Sequence, residues 1–172
     1  MAEWDRDPPQ RVRTWYVLHV KPRTEKKVDD FIRAIGGAFH YLPLMKKVTK
    51  VQRRKVVRWL PVFPGYVFVR LHPDELYRVL NTKQVVHRIE VPQPRRMIHQ
   101  LRQVVHAGRL PTEVQVVESF TAGEYVRVKS GPLRGIEGQV RRTGSATSIV
   151  LVVEILGRAL EAAVSPVDLE KL

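Results

Sequence analysis

Between Thr24 and Gly37 the sequence reads TEKKVDDFIRAIGG, and its apolar residues Val28, Phe31, Ile32 and Ile35 fall at the i, i+3, i+4, i+7 spacing of one helix face. Thr24 is placed to cap the start, Gly36 and Gly37 to stop the helix, and Asp29 with Arg33 makes a favourable i,i+4 pair on the wet side. Ahead of it, TWYVLHV (Thr14 to Val20) is rich in aromatic and β-branched residues and reads as a strand. AFHYLPLM (Ala38 to Met45) returns to extended structure, and the basic KKVTKVQRRKVVRW that follows reads as a hairpin turning near Gln52 to Lys55. LPVFPGYVFVRL then enters a bulky strand, Tyr66 to Leu71, through a Pro-Gly kink, and this strand is expected to be central.

PDELYRVLN predicts a short helix: Pro73 suits its first turn, Asp74 and Glu75 its positive end, and Leu76, Val79 and Leu80 face inward. QVVHRIEV is a strand, and RRMIHQLRQVVHAG places Met97, Leu101, Val104 and Val105 on one stripe of a third helix ending at Gly108. The order β-α-β-β-β-α-β-α is typical of α+β layers. Arg109 to Ser119 shows no helical stripe and suits a linker. Beyond it only strand signals remain, EYVRVK, GQVRRT, SIVLVVEI and LEAAVS, broken at short spacing by Gly, Ser or Pro, which points to a small barrel. In GPLRGIEGQV, Gly131-Pro132 and Gly135 fit a tight loop with a left-handed residue, and Gly138 fits a bend or bulge within the next strand.

Charge changes the picture. The 172 residues carry thirty Lys and Arg against seventeen Asp and Glu. Residues 1–108 hold 22 basic and 9 acidic side chains, a net of +13, whereas residues 109–172 hold 8 of each. Two modules with different partners are implied, the first facing a polyanion. The run Lys46, Lys47, Lys50, Arg53, Arg54, Lys55 and Arg58 contains no carboxylate. Like charges facing each other across a hairpin are destabilising, so phosphates nearby would explain their concentration, with Lys21 and Arg23 as companions. A solvated face is the plainer alternative.

With no cysteine there are no disulfides, thiolate nucleophiles or cysteine-bound metals. The six histidines show no i,i+4 pair of a helical metal clamp, so neither metal nor cofactor is expected. No phosphate-binding glycine loop, nucleophile elbow or paired carboxylate stands out, and an enzyme is not expected. MAEWDRDPPQR has no apolar leader core, and no apolar run approaches the roughly 18 residues of a membrane span. The expectation is a cytoplasmic protein without membrane contact, and a monomer.

GEYVRVKSGPLRGIEGQV (Gly123 to Val140) resembles the KOW motif, while TWYVLHVKPR and PVFPGYVFVRL resemble the N-terminal domain of the NusG family of transcription elongation factors. The resemblance spans residues 14–172 in family order. It implies a tail over 1–13, an NGN α/β sandwich with an antiparallel sheet over 14–108, a linker over 109–119, and an SH3-like KOW barrel over 120–172. It also implies that the first domain docks on the clamp-helix coiled coil of RNA polymerase near upstream-fork DNA, while the barrel recruits a protein such as ribosomal protein S10 or Rho. Some specialised members fold the C-terminal segment as a helical hairpin, but SIVLVV and the clustered glycines favour strands.

Residue by residue, Phe63, Tyr66 and Phe68 match the family's aromatic grip on the clamp helices, with His19 on the neighbouring strand. Tyr66 and Phe68 share a strand face, so both could equally be core. Tyr77 and Arg78 match the face by which some members reach the opposite pincer of polymerase. Leu133, Ile136, Ile155, Leu156 and Arg158 match the barrel's partner-binding edge. Housekeeping members usually carry Phe where Leu156 stands, and aromatic residues near Leu133 and Ile136. That departure favours a specialised antitermination paralog over the general factor. A ribosome-associated RNA-binding KOW protein is the rival reading, but it would more naturally carry its charge on the barrel.

Overall fold

A computed structural model describes residues 12–36, 39–52, 54–109, 114–117, 123–143 and 145–172. The chain divides into two compact units that are not contiguous in sequence: one comprises Met1–Leu42 with Phe63–Pro92, the other Pro43–Val62 with Gln93–Leu172.

The first unit is a four-stranded antiparallel sheet in the order β2-β5-β1-β6, formed by β1 (Thr14–Val20), β2 (Phe39–Tyr41), β5 (Tyr66–Leu71) and β6 (Val85–Glu90). The FPGYVFV strand β5 is thus interior, as its bulk predicts. Helices α1 (Glu25–Ala34) and α2 (Pro73–Asn81) cover one face. There Leu18 and Val20 of β1 and Val67, Val69 and Leu71 of β5 meet Val28, Ile32, Leu76 and Val79 in one buried cluster. The alternation of both strands therefore commits the opposite parity, Trp15, Val17 and His19 with Tyr66, Phe68 and Arg70, to the other face.

Two details of α1 differ from expectation. The Thr24 hydroxyl does not cap the helix; it donates to the Lys21 carbonyl at 2.7 Å. Asp29 is buried, and besides Arg33 at 3.1 Å it engages His40 Nδ1 at 2.7 Å, because β2 runs beside the helix.

The second unit contains the hairpin β3 (Leu44–Val51) and β4 (Arg54–Pro61), helix α3 (Pro94–Arg109), and a six-stranded antiparallel sheet ordered β12-β8-β9-β10-β11-β7. The extended stretch read as one strand over 38–45 is interrupted at Leu42-Pro43, where proline has no N–H to give a ladder. Leu44 and Met45 belong to the hairpin instead. β8 (Tyr125–Val128), β9 (Glu137–Thr143), β10 (Ala146–Val153) and β11 (Arg158–Ala163) fall on the four expected strand signals. Two further strands close the ends of the order: β12 (Leu169–Lys171) on β8, and β7 (Val114–Val117) on β11. β7 lies inside the stretch read as a linker. Its VQVV is rich in β-branched valine, and β11 pairs the backbone groups on one side of it.

Gly138 sits within β9 with no register shift, so the expected bulge is absent. The glycine is there for closeness: a Cβ would stand 2.7 Å from the Val150 carbonyl oxygen and 2.9 Å from Leu151 Cδ2. The preceding loop turns through left-handed Gly131 and Gly135 as expected. Helix α3 meets the sheet through polar contacts. Gln103 Oε1 accepts the Glu137 backbone N–H, Gln100 Oε1 accepts that of Glu154, each at 3.2 Å, and Arg96 pairs with Glu154 at 2.5 Å. Burial, and then the nearby Glu137 carboxylate, push the Tyr125 phenol above its ordinary range at this seam.

Candidate functional site

On the sheet face of the first unit that α1 and α2 leave uncovered, the residues at the Pro-Gly end are positioned by one turn. Gly65 adopts φ +86°, a conformation that side chains disfavour, and its N–H donates to Glu25 Oε1 at 2.8 Å while its carbonyl accepts the Val20 N–H at 2.8 Å. Glu25 is itself buried in the first turn of α1, so a helix holds the turn from which β5 departs. His19 and Tyr66 are directly paired across β1 and β5, and their rings stack with centroids 5.0 Å apart and planes 20° apart. Both are half-buried, leaving the pair partly presented to solvent.

Phe63 and Phe68, expected beside them as a grip, are 1% and 0% exposed. Of the residues expected at this face, His19 and Tyr66 are the partly accessible ones. At the far end of the same face lies a cluster that sequence reasoning missed. Arg70 is paired with Trp15 on one side and Phe39 on the other, and those two rings meet edge to face at 6.1 Å. The even spacing of Trp15 and His19 in TWYVLHV carried that signal.

On α2, Tyr77 is 67% exposed and Arg78 is exposed beside it. The N-terminal end of α2 is secured by Glu75, which accepts the His72 backbone N–H at 2.8 Å and pairs with Arg13 at 3.2 Å. Desolvation pushes the Glu75 carboxyl upward, but the hydrogen bonds from Arg13 and His72 and the charges of both outweigh it and hold it below its ordinary value. Lys21 and Arg23 are exposed after β1, Arg23 with φ +65°.

In the second unit, β3 and β4 pair over their whole length, with Val51 opposite Arg54. Lys47 stands opposite Arg58 and Lys50 opposite Lys55, so like charges do face each other. Lys46, Lys47, Lys50, Arg54, Lys55 and Arg58 are all exposed; Arg53 lies outside the described residues. In the second unit, Leu133 and Ile136, expected at a partner-binding edge, are 3% and 0% exposed, because their loop folds them into the interior. Ile155 and Leu156, in a 3₁₀ turn ended by left-handed Gly157, and Arg158 beside it are half-buried. Among the described residues no three His, Asp or Glu side chains gather as a metal-binding group, and no helix is long and apolar enough to cross a membrane.

The family model described as "Transcription termination factor nusG" matches residues 13–106, more than half of the chain and including the Gly65 turn and the His19–Tyr66 pair. The chain belongs to the NusG family. It is also similar to the transcription termination/antitermination protein NusG of Borreliella burgdorferi, 25% identical over 182 aligned positions that cover 93% of this chain and 99% of that relative. The likeness to this NusG therefore reaches beyond the residues that the family model matches, into the six-stranded sheet.

Proposed function

We propose that this NusG-family protein is a transcription elongation and antitermination factor without enzymatic activity. Its N-terminal domain holds the clamp helices of RNA polymerase and the DNA at the upstream fork, and its C-terminal strands form an SH3-like KOW barrel that recruits a second protein. The observation that carries the reading is the stacked His19–Tyr66 pair, half-exposed on a turn held by a buried carboxylate. A helical tip needs an apolar ledge with a polar rim, and an aromatic pair supplies large contact area at low entropic cost.

The carboxylate-free hairpin supports the DNA contact through Lys46, Lys47, Lys50, Arg54, Lys55 and Arg58, with Lys21 and Arg23 as further phosphate ligands. Tyr77 and Arg78 would bridge to the opposite pincer and disfavour an open, pause-prone clamp. For recruitment the accessible candidates are Ile155, Leu156 and Arg158, an aliphatic edge with less contact area than an aromatic one. That edge favours a specialised paralog over a general factor, whether its partner is of the S10 or the Rho type.

The test is a pull-down with core polymerase comparing the parent with Tyr66→Ala, alongside pausing and Rho-termination assays. The parent should be retained and suppress pausing, and Tyr66→Ala should do neither. Equal retention of both proteins, or of neither, overturns the assignment.

A further inference from the structure

Of the two outer strands of the first unit's sheet, β2 is three residues long, whereas β6 runs for six and has no neighbour on its outer side among the described residues. Its backbone directions follow from the register. The Val91 N–H donates to the Trp15 carbonyl at 2.9 Å, so Ile89 opposite Val17 and His87 opposite His19 likewise turn their backbone groups toward β1. Arg88 and Glu90 turn theirs outward. An edge of N–H donors and carbonyl acceptors is therefore open to pairing, and Val86 beside it is 61% exposed. The side chains of Arg88 and Glu90 are exposed on the face of Leu18 and Tyr16, their partners in β1. Neither has a hydrogen-bond or ion-pair partner among the described residues.

We propose that β6 pairs with β6 of a second copy of this chain, antiparallel about a two-fold axis at Ile89, so that two four-stranded sheets join into one of eight. Register and charge together name this occupant. Outward-turned residues of two antiparallel strands must face each other to exchange hydrogen bonds, so Arg88 of one copy can stand opposite Arg88 or Glu90 of the other. Opposite Arg88 it meets its own charge, which is destabilising. Opposite Glu90 the two-fold gives two cross-strand ion pairs, each on a hydrogen-bonded backbone pair, with Ile89 against its own copy on the other face of the sheet. The irregularity of the β1–β6 ladder lies at His19 and Val20, which leaves Arg88 to Glu90 regular. The usual guards of an open edge, a lysine or a proline within the strand, are absent from VVHRIE. The chain's net charge of +13 opposes self-association, so the dimer should be weak, roughly micromolar. The pairing does not depend on the polymerase contact.

Analytical ultracentrifugation of the full chain tests this. The parent should pass from monomer to dimer as its concentration rises through the micromolar range. Arg88→Glu alone and Glu90→Arg alone each set like charges opposite one another twice, and each should weaken self-association at least about 10-fold. An equimolar mixture of these two variants recovers both ion pairs and should dimerise at least as well as the parent. The double change Arg88→Glu with Glu90→Arg should do so by itself. Rescue in the mixture excludes unfolding as the cause of the loss.

A parent that stays monomeric up to about 1 mM, or single variants that dimerise like the parent, overturns the pairing. Single variants that lose the dimer and do not regain it when mixed refute the Arg88–Glu90 register. A monomeric parent whose Arg88 and Glu90 amides exchange more slowly on binding core polymerase gives the edge to a polymerase strand and overturns the second copy as its occupant.

Discussion

The ring of His19 stacks on that of Tyr66, centroids 5.0 Å apart, at directly paired positions of two interior strands. If the pair works as one surface, its members are energetically coupled. Tyr66→Ala should weaken binding to core polymerase by about 2 kcal/mol, in the range of an interface anchor. His19→Ala should cost less, and the double variant less than the sum, with a coupling of about 0.5 to 1.5 kcal/mol. Titration calorimetry on the four proteins measures this, and strict additivity would show that the rings act separately.

The hairpin predicts a salt signature. If Lys50 and Lys55 hold phosphates as proposed, replacing both with Gln should reduce the slope of log K against log salt by about 1.4 to 1.8. Charge reversal at Arg54 should weaken association with an elongation complex in the same sense. An unchanged slope removes the phosphate contacts from these side chains.

Glu75 gives a pH dependence with a definite sign. Its folded-state value lies below the ordinary 4.5, so its contribution to stability is present above that value and is lost as pH falls through the lower, folded one. Glu75→Gln should therefore be less stable than the parent near pH 7, by up to about 1 kcal/mol for a partly exposed ion pair. The two urea midpoints should converge as pH drops below about 4.5.

Gly138→Ala tests the close approach of β9 to β10. The added methyl would meet a backbone carbonyl at 2.7 Å, which has no flexible end to yield. A loss of about 1 to 3 kcal/mol is expected, the range for overpacking, read as a lower urea midpoint at constant slope. A variant as stable as the parent would mean that the strands separate there at little cost.

Much of the architecture was written in periodicity. The stripe from Val28 to Ile35 and the bulk of Tyr66 to Leu71 specify a helix and an interior strand, because burial of one face leaves few alternatives. Val114–Val117 escaped notice because four residues show too little alternation for a strand, and only the partner β11 makes them one. The candidate site was legible as a set of residue types but not as exposure. Tyr66 and Phe68 have the same parity, and which ring is covered depends on packing that no local pattern records. Leu133 and Ile136 illustrate the same limit: a family match places them near an edge, while their own loop draws them inside. Trp59 sits amid lysines and arginines, and only the pairing register shows that it shares a face with two exposed valines.

The hydrogen bond from Gly65 to the buried Glu25 has a kinetic meaning. If Tyr66 is the proposed docking surface, the turn that bears it is already braced by a helix before any partner arrives, so little ordering entropy remains to be lost on contact. Capture should accordingly be governed by how often the two molecules collide in a workable orientation, with no slow rearrangement of this face afterwards.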